Sequence, residues 1–167
     1  MRAALTGDAA RLRALRLEAL ENHPQAFAAD PLKTAAEPDS AWVERIEANA
    51  ASQEGLIAVA ESGPELIGMA GLGRGHWPKT RHGAVVWGVY VDAAWRGLRI
   101  GEALIEELAG WARAHDVSVL KLAVVSGNSA AVRCYARCGF SIYGLEPSVI
   151  QVDGVYHDEL LMARMLG

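Results

Sequence analysis

Apolar residues follow two different spacings in the central part of this chain. From Ile100 to Ala114 they recur every three or four positions, so that Leu104, Ile105 and Leu108 share one face with Trp111. The run before it, Ala84–Val91, is almost continuously apolar and bounded by turn residues, which is typical of a buried strand. The pattern therefore predicts a buried strand, a short turn and an amphipathic helix in succession.

The same two spacings, with turn and cap residues between them, divide the rest of the chain. No repeat, low-complexity tract or long linker interrupts it, and 167 residues suit one domain, residues 1–167. The predicted order is β-α-α-β-β-β-α-β-α-β-β, an α/β fold with a mixed sheet. The other predicted elements are a short strand at 2–5, a helix at Ala9–Glu21 capped by Asp8, a loop at Asn22–Asp39, a helix capped by Asp39 or Ser40, hairpin strands at Leu56–Glu61 and Glu65–Gly73, a strand at Ser118–Val125, a helix at Asn128–Cys138 and two strands around Asp153-Gly154.

The turn between the buried strand and the amphipathic helix predicts an anion site. Gly97 and Gly101 flank the helix start, where backbone N–H groups have no partner within the helix and the helix dipole is positive. A Walker loop is excluded because Glu102 and Ala103, not Lys and Ser or Thr, follow Gly101. The glycine spacing does not fit a dinucleotide fingerprint either. A plain strand–loop–helix crossover with packing glycines is the alternative for this segment alone.

A second segment, after the predicted strand Ser118–Val125, carries a related pattern. Asn128 or Ser129 can cap a helix that Gly139 ends. Between them, Tyr135 lies on the same face as Ala131, Cys134 and Cys138.

Together the two segments resemble the coenzyme site of the GCN5-related N-acetyltransferases (GNAT). The first resembles the loop pattern Arg/Gln-x-x-Gly-x-Gly/Ala, which Arg96 and Gly101 match and Arg99 does not, since glycine is usual there. A residue that enters a helix needs no positive φ, so Arg99 is expected to be tolerated. The second matches Asn-x-x-Ala-x-x-x-Tyr-x-x-x-Gly-Phe at Asn128, Ala131, Tyr135, Gly139 and Phe140.

The resemblance implies a fold and an activity. The expected fold is the GNAT-type acyl-CoA N-acyltransferase fold, α/β with a mixed, mostly antiparallel sheet flanked by helices. The strand before the loop is expected to part from the strand after the first crossover helix, leaving a gap for the pantetheine arm. The implied activity is direct transfer of the acetyl group of acetyl-CoA to a primary amine of a small molecule or peptide N-terminus. A non-catalytic acyl-CoA-binding sensor or regulatory module is the alternative.

The resemblance also implies roles for particular residues. Arg96 and Arg99 would support the pyrophosphate electrostatically, Asn128 would hydrogen-bond the pantetheine region unless it only caps its helix, and Tyr135 would be the general acid unless it only packs in the core. The remaining expected coenzyme contacts are backbone groups of the loop and the strand before it: Val89, Val91, Gly97, Leu98, Ile100 and Gly101.

The general base and the acceptor are left open by the sequence. A water chain or one of several carboxylates is conceivable as the base, and none is assigned: Glu18, Glu21, Glu61 or Asp92. In this family acceptor specificity lies on the first two helices, the connection before the central strand and the final hairpin. The side chains there that could border an acceptor are Phe27, Trp42, His76, Trp77, Tyr143, Glu146 and Tyr156.

Composition narrows the setting. A net charge of −4 argues against general nucleic-acid binding. No apolar run reaches the roughly 18 residues of a membrane span, and the first residues lack the apolar core of a signal peptide, so a cytoplasmic location is expected. Cys134 and Cys138 have no nearby histidine, so no metal is expected, and small buried apolar side chains are the favoured interpretation of both. A homodimer is expected because strand edges invite pairing.

Overall fold

The computed structural model describes residues 1–167 as one seven-stranded sheet with helices on both faces. The strands lie side by side in the order β1-β2-β3-β4-β5-β7-β6. Their bounds are Arg2–Ala3 (β1), Gly55–Ser62 (β2), Glu65–Arg74 (β3), Gly83–Val91 (β4), Val119–Val125 (β5), Ser141–Val152 (β6) and Val155–Met165 (β7). The helices are Ala9–Asn22 (α1), Pro31–Ala36 (α2), Asp39–Ser52 (α3), Ile100–Ala114 (α4) and Ser129–Arg137 (α5).

The central pair of strands, β4 and β5, creates the gap that the resemblance implies. All neighbouring strands are antiparallel except this parallel pair. Pairing covers only Gly83–Val85 of β4 and Val119–Lys121 of β5. Beyond Val85 the two strands separate, so the second half of β4 presents an unpaired edge.

A bulge shapes that second half of β4. The β3–β4 register shifts between Met69 and Gly71, and Gly88 has a φ of +62°. The indole of Trp87 lies directly over Gly71, where an added Cβ would be 2.2 Å from the ring. Only glycine at position 71 therefore permits this placement of Trp87. The bulge fits the rule that such irregularities re-aim side chains near functional clefts.

The two faces of the sheet have separate cores. On one face α4 and α5 pack over the sheet, and the side chains of Leu104, Ile105 and Leu108 are fully buried. On the other face α1 and α3 cover β2, β3 and part of β4. Complete burial of each leucine or isoleucine stabilises the fold by about 1.5–3 kcal/mol. The predicted helix Ile100–Ala114 is confirmed, with Trp111 half-buried at its edge.

The sequence interpretation was wrong in details of the first helices. The predicted loop Asn22–Asp39 contains the six-residue helix α2, which Asp30 caps by accepting from the N–H groups of Leu32 and Lys33. Helix α3 begins at Asp39 with Pro38 as its cap residue. Asp8 precedes α1 but makes no side-chain cap hydrogen bond. Its carboxylate instead turns to the Leu5 N–H and to two arginines, because charged partners compete successfully for it.

Two further features bear on what the fold can bind or span. No helix is both long and apolar enough to cross a membrane. No group of three or more histidine, cysteine, aspartate or glutamate side chains is placed to hold a metal ion.

Candidate active site

A cleft of about 640 Å³ opens where β4 and β5 separate. Its walls come from the second half of β4, the loop and first turn of α4, the first turns of α5 and the segment that follows α1. The structure brings together here nearly all the residues expected from the sequence: Val89, Val91, Arg96, Gly97, Arg99, Ile100, Gly101, Asn128 and Tyr135. Leu98 is the exception, with a side chain that is 65 % exposed and off the cleft wall.

The loop before α4 is folded by local hydrogen bonds and two left-handed residues. Asp92 accepts from the Ala94 N–H at 2.8 Å and so starts a single 3₁₀ turn. Gly97 has a φ of +84°, and Arg99, the cap residue of α4, has a φ of +57°. The expectation that Arg99 needs no positive φ was therefore wrong. A non-glycine residue in this region costs about 1 kcal/mol or more, which explains the glycine of the family pattern.

The first turn of α4 meets the requirements of an anion site. Arg99 makes no side-chain cap hydrogen bond, and the N–H groups of Ile100 and Gly101 have no partner elsewhere in the chain. A Cβ added at Gly101 would lie 3.3 Å from the Sγ of Cys134, so α4 and α5 approach closely here. The Glu102 carboxylate in the same turn is bound by Arg137 of α5, with Nη2 and Oε1 2.6 Å apart. That ion pair offsets the one negative charge beside the free N–H groups. Arg137 and Glu102, both on the cleft wall, were missed by the sequence analysis.

The free edge of β4 offers backbone groups to the cleft. The Asp92 N–H donates to the Ile67 carbonyl at 3.0 Å, so the backbone of Asp92 faces β3. Because peptide groups alternate along a strand, those of Val91 face the gap, and Val89, beside the bulge, also lines the cleft. The Val91 carbonyl already accepts a 3.1 Å hydrogen bond from Nε of Arg96. The N–H of Val91 therefore remains for a ligand, while Arg96 is held against the strand end.

Tyr135 has the properties of a proton donor within the cleft. It is only 8 % exposed, and its ring packs at 6.1 Å from that of Phe140. Burial, with smaller contributions from the neighbouring thiols Cys134 and Cys138, raises the pKa of Tyr135 above its ordinary value of 10. The hydroxyl makes no hydrogen bond with the rest of the chain, and the residue lines the cleft. It therefore keeps its proton at neutral pH and has it free to donate.

Asn128 caps α5 through its side-chain oxygen, which accepts from the Ala131 N–H at 3.2 Å. This cap uses only the side-chain oxygen. Both hydrogens of the amide nitrogen therefore remain free to donate, and Asn128 lines the cleft. The two cysteines on the same helix are free thiols. Cys138 is buried as expected, whereas Cys134 is half-buried and lines the cleft.

The acceptor side differs from the expectation. Of the side chains expected there, only Phe27 lines the cleft, and the others are buried in the core or turned to solvent. Trp42 is 2 % exposed because it packs under α1 as a core residue. The exposed remainder are His76, Trp77, Tyr143, Glu146 and Tyr156. The side chains found in their place are His23, Gln25, Tyr90, Trp95 and His157.

A chain of polar contacts crosses this side of the cleft. Arg96 donates from Nη2 to Nε2 of His23 at 2.8 Å, and its guanidinium carbon lies 5.8 Å from the centre of the Tyr90 ring. Burial and the nearby Arg96 charge lower the pKa of His23, so the imidazole is neutral and accepts at Nε2. The Tyr90 hydroxyl donates to Oε1 of Glu18 at 2.7 Å. Burial, and then this bond to Glu18, raise the pKa of Tyr90.

The four carboxylates considered as bases occupy different surroundings. Glu18 reaches the cleft through Tyr90, whereas Glu21 is exposed. Glu61 forms an ion pair with Arg2 of β1, and the Asp92 carboxylate accepts the Ala94 N–H in the loop before α4. Of these four carboxylates, Glu18 is therefore the one that is hydrogen-bonded to a residue of the cleft wall on the acceptor side.

The splayed sheet, with an uncapped helix start beside it, is typical of the class of GNAT-fold proteins. The family model described as the acetyltransferase (GNAT) family matches residues 15–140, and the chain belongs to this family. Among solved structures, a GNAT-family acetyltransferase from Streptococcus pneumoniae has a TM-score of 0.89 at 24% identity, over 99% of this chain and 98% of that one. The expected fold class is confirmed.

Curated relatives resemble somewhat under two thirds of the chain. An L-methionine sulfoximine/L-methionine sulfone acetyltransferase of Pseudomonas aeruginosa is 32% identical over 107 residues, 64% of this chain and 62% of that protein. The N-alpha-acetyltransferase RimI of Mycobacterium tuberculosis is 36% identical over 109 residues, 65% of each chain. The chain thus spans somewhat under two thirds of the length of these relatives.

Proposed function

We propose that this protein is an acetyl-CoA-dependent N-acetyltransferase that acts on a primary amine. The observation that carries the proposal is the convergence of three features on one cleft. These are the free N–H groups at the start of α4, the unpaired edge of β4, and the buried hydroxyl of Tyr135. They match the pyrophosphate, pantetheine arm and thioester of acetyl-CoA in kind and in order.

The coenzyme would be held mainly by backbone groups. Gly97 to Gly101 would bind the pyrophosphate through their N–H groups, with Arg99 as a nearby cation. The backbone groups of Val89 and Val91 would pair with the pantetheine amides and orient the thioester carbonyl. The amide nitrogen of Asn128 would bind the same arm. Arg96 would act less on the phosphates than on the strand end, because its contacts are with Val91 and His23.

The transfer would be direct. The neutral amine attacks the thioester carbonyl, the C–N bond forms and the C–S bond breaks. Tyr135 protonates the departing thiolate, a role that fits a phenol that keeps its proton at neutral pH.

The acceptor would carry an α-amino group. One relative is named for the acetylation of L-methionine sulfoximine and L-methionine sulfone, and another is named as an N-alpha-acetyltransferase. A third relative, at 28% identity over 131 residues, is an L-amino acid N-acetyltransferase of Escherichia coli. An α-amino group is the feature that these names share, so we expect an L-amino acid or a peptide N-terminus as the acceptor. The cleft region bordered by His23, Phe27 and His157 would receive it.

A thiol-release assay tests this function. The enzyme is incubated with acetyl-CoA and, in turn, L-amino acids, their amides, short peptides, polyamines and aminoglycosides, and coenzyme binding is measured separately by calorimetry. Turnover is expected with at least one α-amine. Tight coenzyme binding without turnover would instead support the non-catalytic sensor. Absence of coenzyme binding would refute both.

The setting of the enzyme is part of the proposal. We expect one domain over residues 1–167, a cytoplasmic location and a homodimer. β6 is a 12-residue edge strand that carries the exposed apolar side chains Ile142, Leu145 and Val149. Such an edge favours pairing with a second copy. Light scattering at micromolar concentration should give twice the chain mass of 17.8 kDa, and a monomeric mass would count against the dimer.

A further inference from the structure

The acceptor side of the cleft holds a carboxylate that the transfer described above does not use. Glu18, on α1, is half-buried and accepts the hydroxyl hydrogen of Tyr90 at 2.7 Å. Tyr90 is 5 % exposed and lines the cleft, whereas Glu18 lies behind it and is not on the cleft wall. Tyr90 thus connects the interior of the cleft to the Glu18 carboxylate, which has access to solvent.

We propose that Tyr90 and Glu18 form the proton relay that deprotonates the acceptor ammonium, a role that rests on the acetyltransferase function proposed above. The ammonium gives one proton to Oη of Tyr90 while Tyr90 gives its own proton to Oε1 of Glu18. The neutral nitrogen then attacks the thioester carbonyl. The second proton that the nitrogen loses on becoming an amide balances the proton gained by the thiol, and Glu18 releases the first to water.

The groups around Tyr90 favour a role in which it passes a proton on to Glu18 over one in which Tyr90 is itself the final base. The groups around it are Glu18 and Asn22 from α1, His23 directly after that helix, Arg96 from the loop and the apolar Met69 from β3. His23 cannot take the proton in this arrangement, since its Nε2 already accepts from Arg96. Tyr90 itself remains protonated at neutral pH because burial and the bond to Glu18 both favour its neutral form. The carboxylate behind it is therefore the group left to receive a proton.

The position of Tyr90 in the strand also fits this role. Val91 faces the gap with its backbone groups, and the side chain of the preceding Tyr90 packs on the α1 face of the sheet. An amine that approaches a thioester held along the β4 edge from the α1 face meets Tyr90 beside its nitrogen. The relay would then lie beside the attacking nitrogen, on the side away from the pantetheine arm.

The test compares Glu18→Gln with Glu21→Gln, an exposed glutamate on the same helix, using acetyl-CoA and L-methionine sulfone, or the best amine of the panel above if the sulfone is not acetylated. At pH 7, kcat/KM of Glu18→Gln should fall about 100-fold, within the range for general-base catalysis. The loss should shrink to a few-fold near pH 10, where the amine is already neutral. Glu21→Gln should match the wild type throughout, and the affinity for acetyl-CoA should be unchanged in both.

Two further measurements test whether Tyr90 and Glu18 act as a proton relay. For an amino acid amide, whose α-amine has a pKa near 8, the Glu18→Gln loss at pH 7 should be smaller than for the more basic free amino acid. Tyr90→Phe should reproduce the pH dependence, and if it does not fold, the Glu18→Gln profile decides alone. A loss that is equal at every pH, or no loss, overturns the relay. Failure of the wild type to acetylate any amine refutes the proposed function instead.

Discussion

The buried carboxylate of Asp8 gives the sharpest stability prediction. Asp8 is 1 % exposed, and it accepts hydrogen bonds from Arg2, from the Leu5 N–H at 2.8 Å and from Arg11. The hydrogen bond from Arg2 is the main reason that its pKa falls from 3.8 to about 2, against the opposing effect of burial. A lowering of this size corresponds to roughly 2 kcal/mol of folding free energy, at about 1.36 kcal/mol per pKa unit.

The sign follows from linkage. Because the folded pKa is the lower one, the stabilisation is fully present above the unfolded pKa of 3.8 and is lost as the pH falls through about 2. At pH 3 about half of it remains. Asp8→Asn should therefore destabilise the protein by at least about 2 kcal/mol at pH 7, more if the unpaired Arg2 and Arg11 add a desolvation cost.

The assay is urea unfolding of wild type and Asp8→Asn at pH 7 and pH 3. The difference in unfolding free energy between the two proteins should shrink by about 1 kcal/mol at the lower pH, since only the wild type carries this titration. Taking the difference between the two proteins cancels the other carboxylates. A gap of equal size at both pH values would refute the assignment of the lowered pKa to Asp8. Glu65→Gln, at an exposed glutamate with no ion pair, serves as the control.

Three further predictions concern the cleft and the helices around it. Gly101→Glu should weaken acetyl-CoA binding at least tenfold by calorimetry, because it adds a negative charge where the backbone would meet the pyrophosphate. Arg99→Gly should bind within a few-fold of wild type and unfold no more easily, since glycine adopts the φ of +57° freely. Equal binding by the glutamate variant would refute the placement of the pyrophosphate at this loop. Tyr135→Phe should lower kcat about ten- to a thousand-fold at nearly unchanged coenzyme affinity. If the wild-type pH–rate profile falls at alkaline pH because Tyr135 ionises, that fall should lie above pH 10, since burial raises the pKa of Tyr135, and the variant should lack it. A variant with full kcat would show that Tyr135 is only a packing residue. Arg16→Met should keep or raise the melting temperature, because Nη1 of Arg16 is buried without a partner, and a clear fall in a thermal melt would contradict this.

How far the sequence predicts the fold depends on how local each determinant is. The helix Ile100–Ala114 and the hairpin of β2 and β3 follow from apolar spacing and turn residues within one segment, and both are confirmed. Helix α2 was missed because its six residues are too few to show a period, so only the cap at Asp30 marks it. The cap at Asp8 was wrong for the opposite reason. Its partner Arg2 lies on the other side of a turn, and nothing in a helix pattern shows that competition.

The two halves of the cleft differ in the same way. The coenzyme half is made by backbone groups at the ends of two consecutive elements, and the glycines that such geometry requires lie in short motifs that a sequence displays. Even there, the left-handed φ of Arg99 escaped notice, because it depends on the path from β4 to α4 rather than on the residue. The aromatic residues assigned to the acceptor half were judged by type alone, and burial of Trp42 in the core shows how little type decides.

The acceptor half depends on contacts between distant segments. Glu18 and Tyr90 are 72 residues apart, and His23 and Arg96 are 73 apart, yet each pair is joined by one hydrogen bond. These contacts exist because α1 packs on the face of the sheet where β4 bulges at Gly88, bringing the end of the helix against the end of the strand. Substrate choice and proton transfer can therefore change through single side chains on α1 while the loop motifs stay the same. That separation gives a physical reason why coenzyme motifs identify the family and leave the amine undetermined.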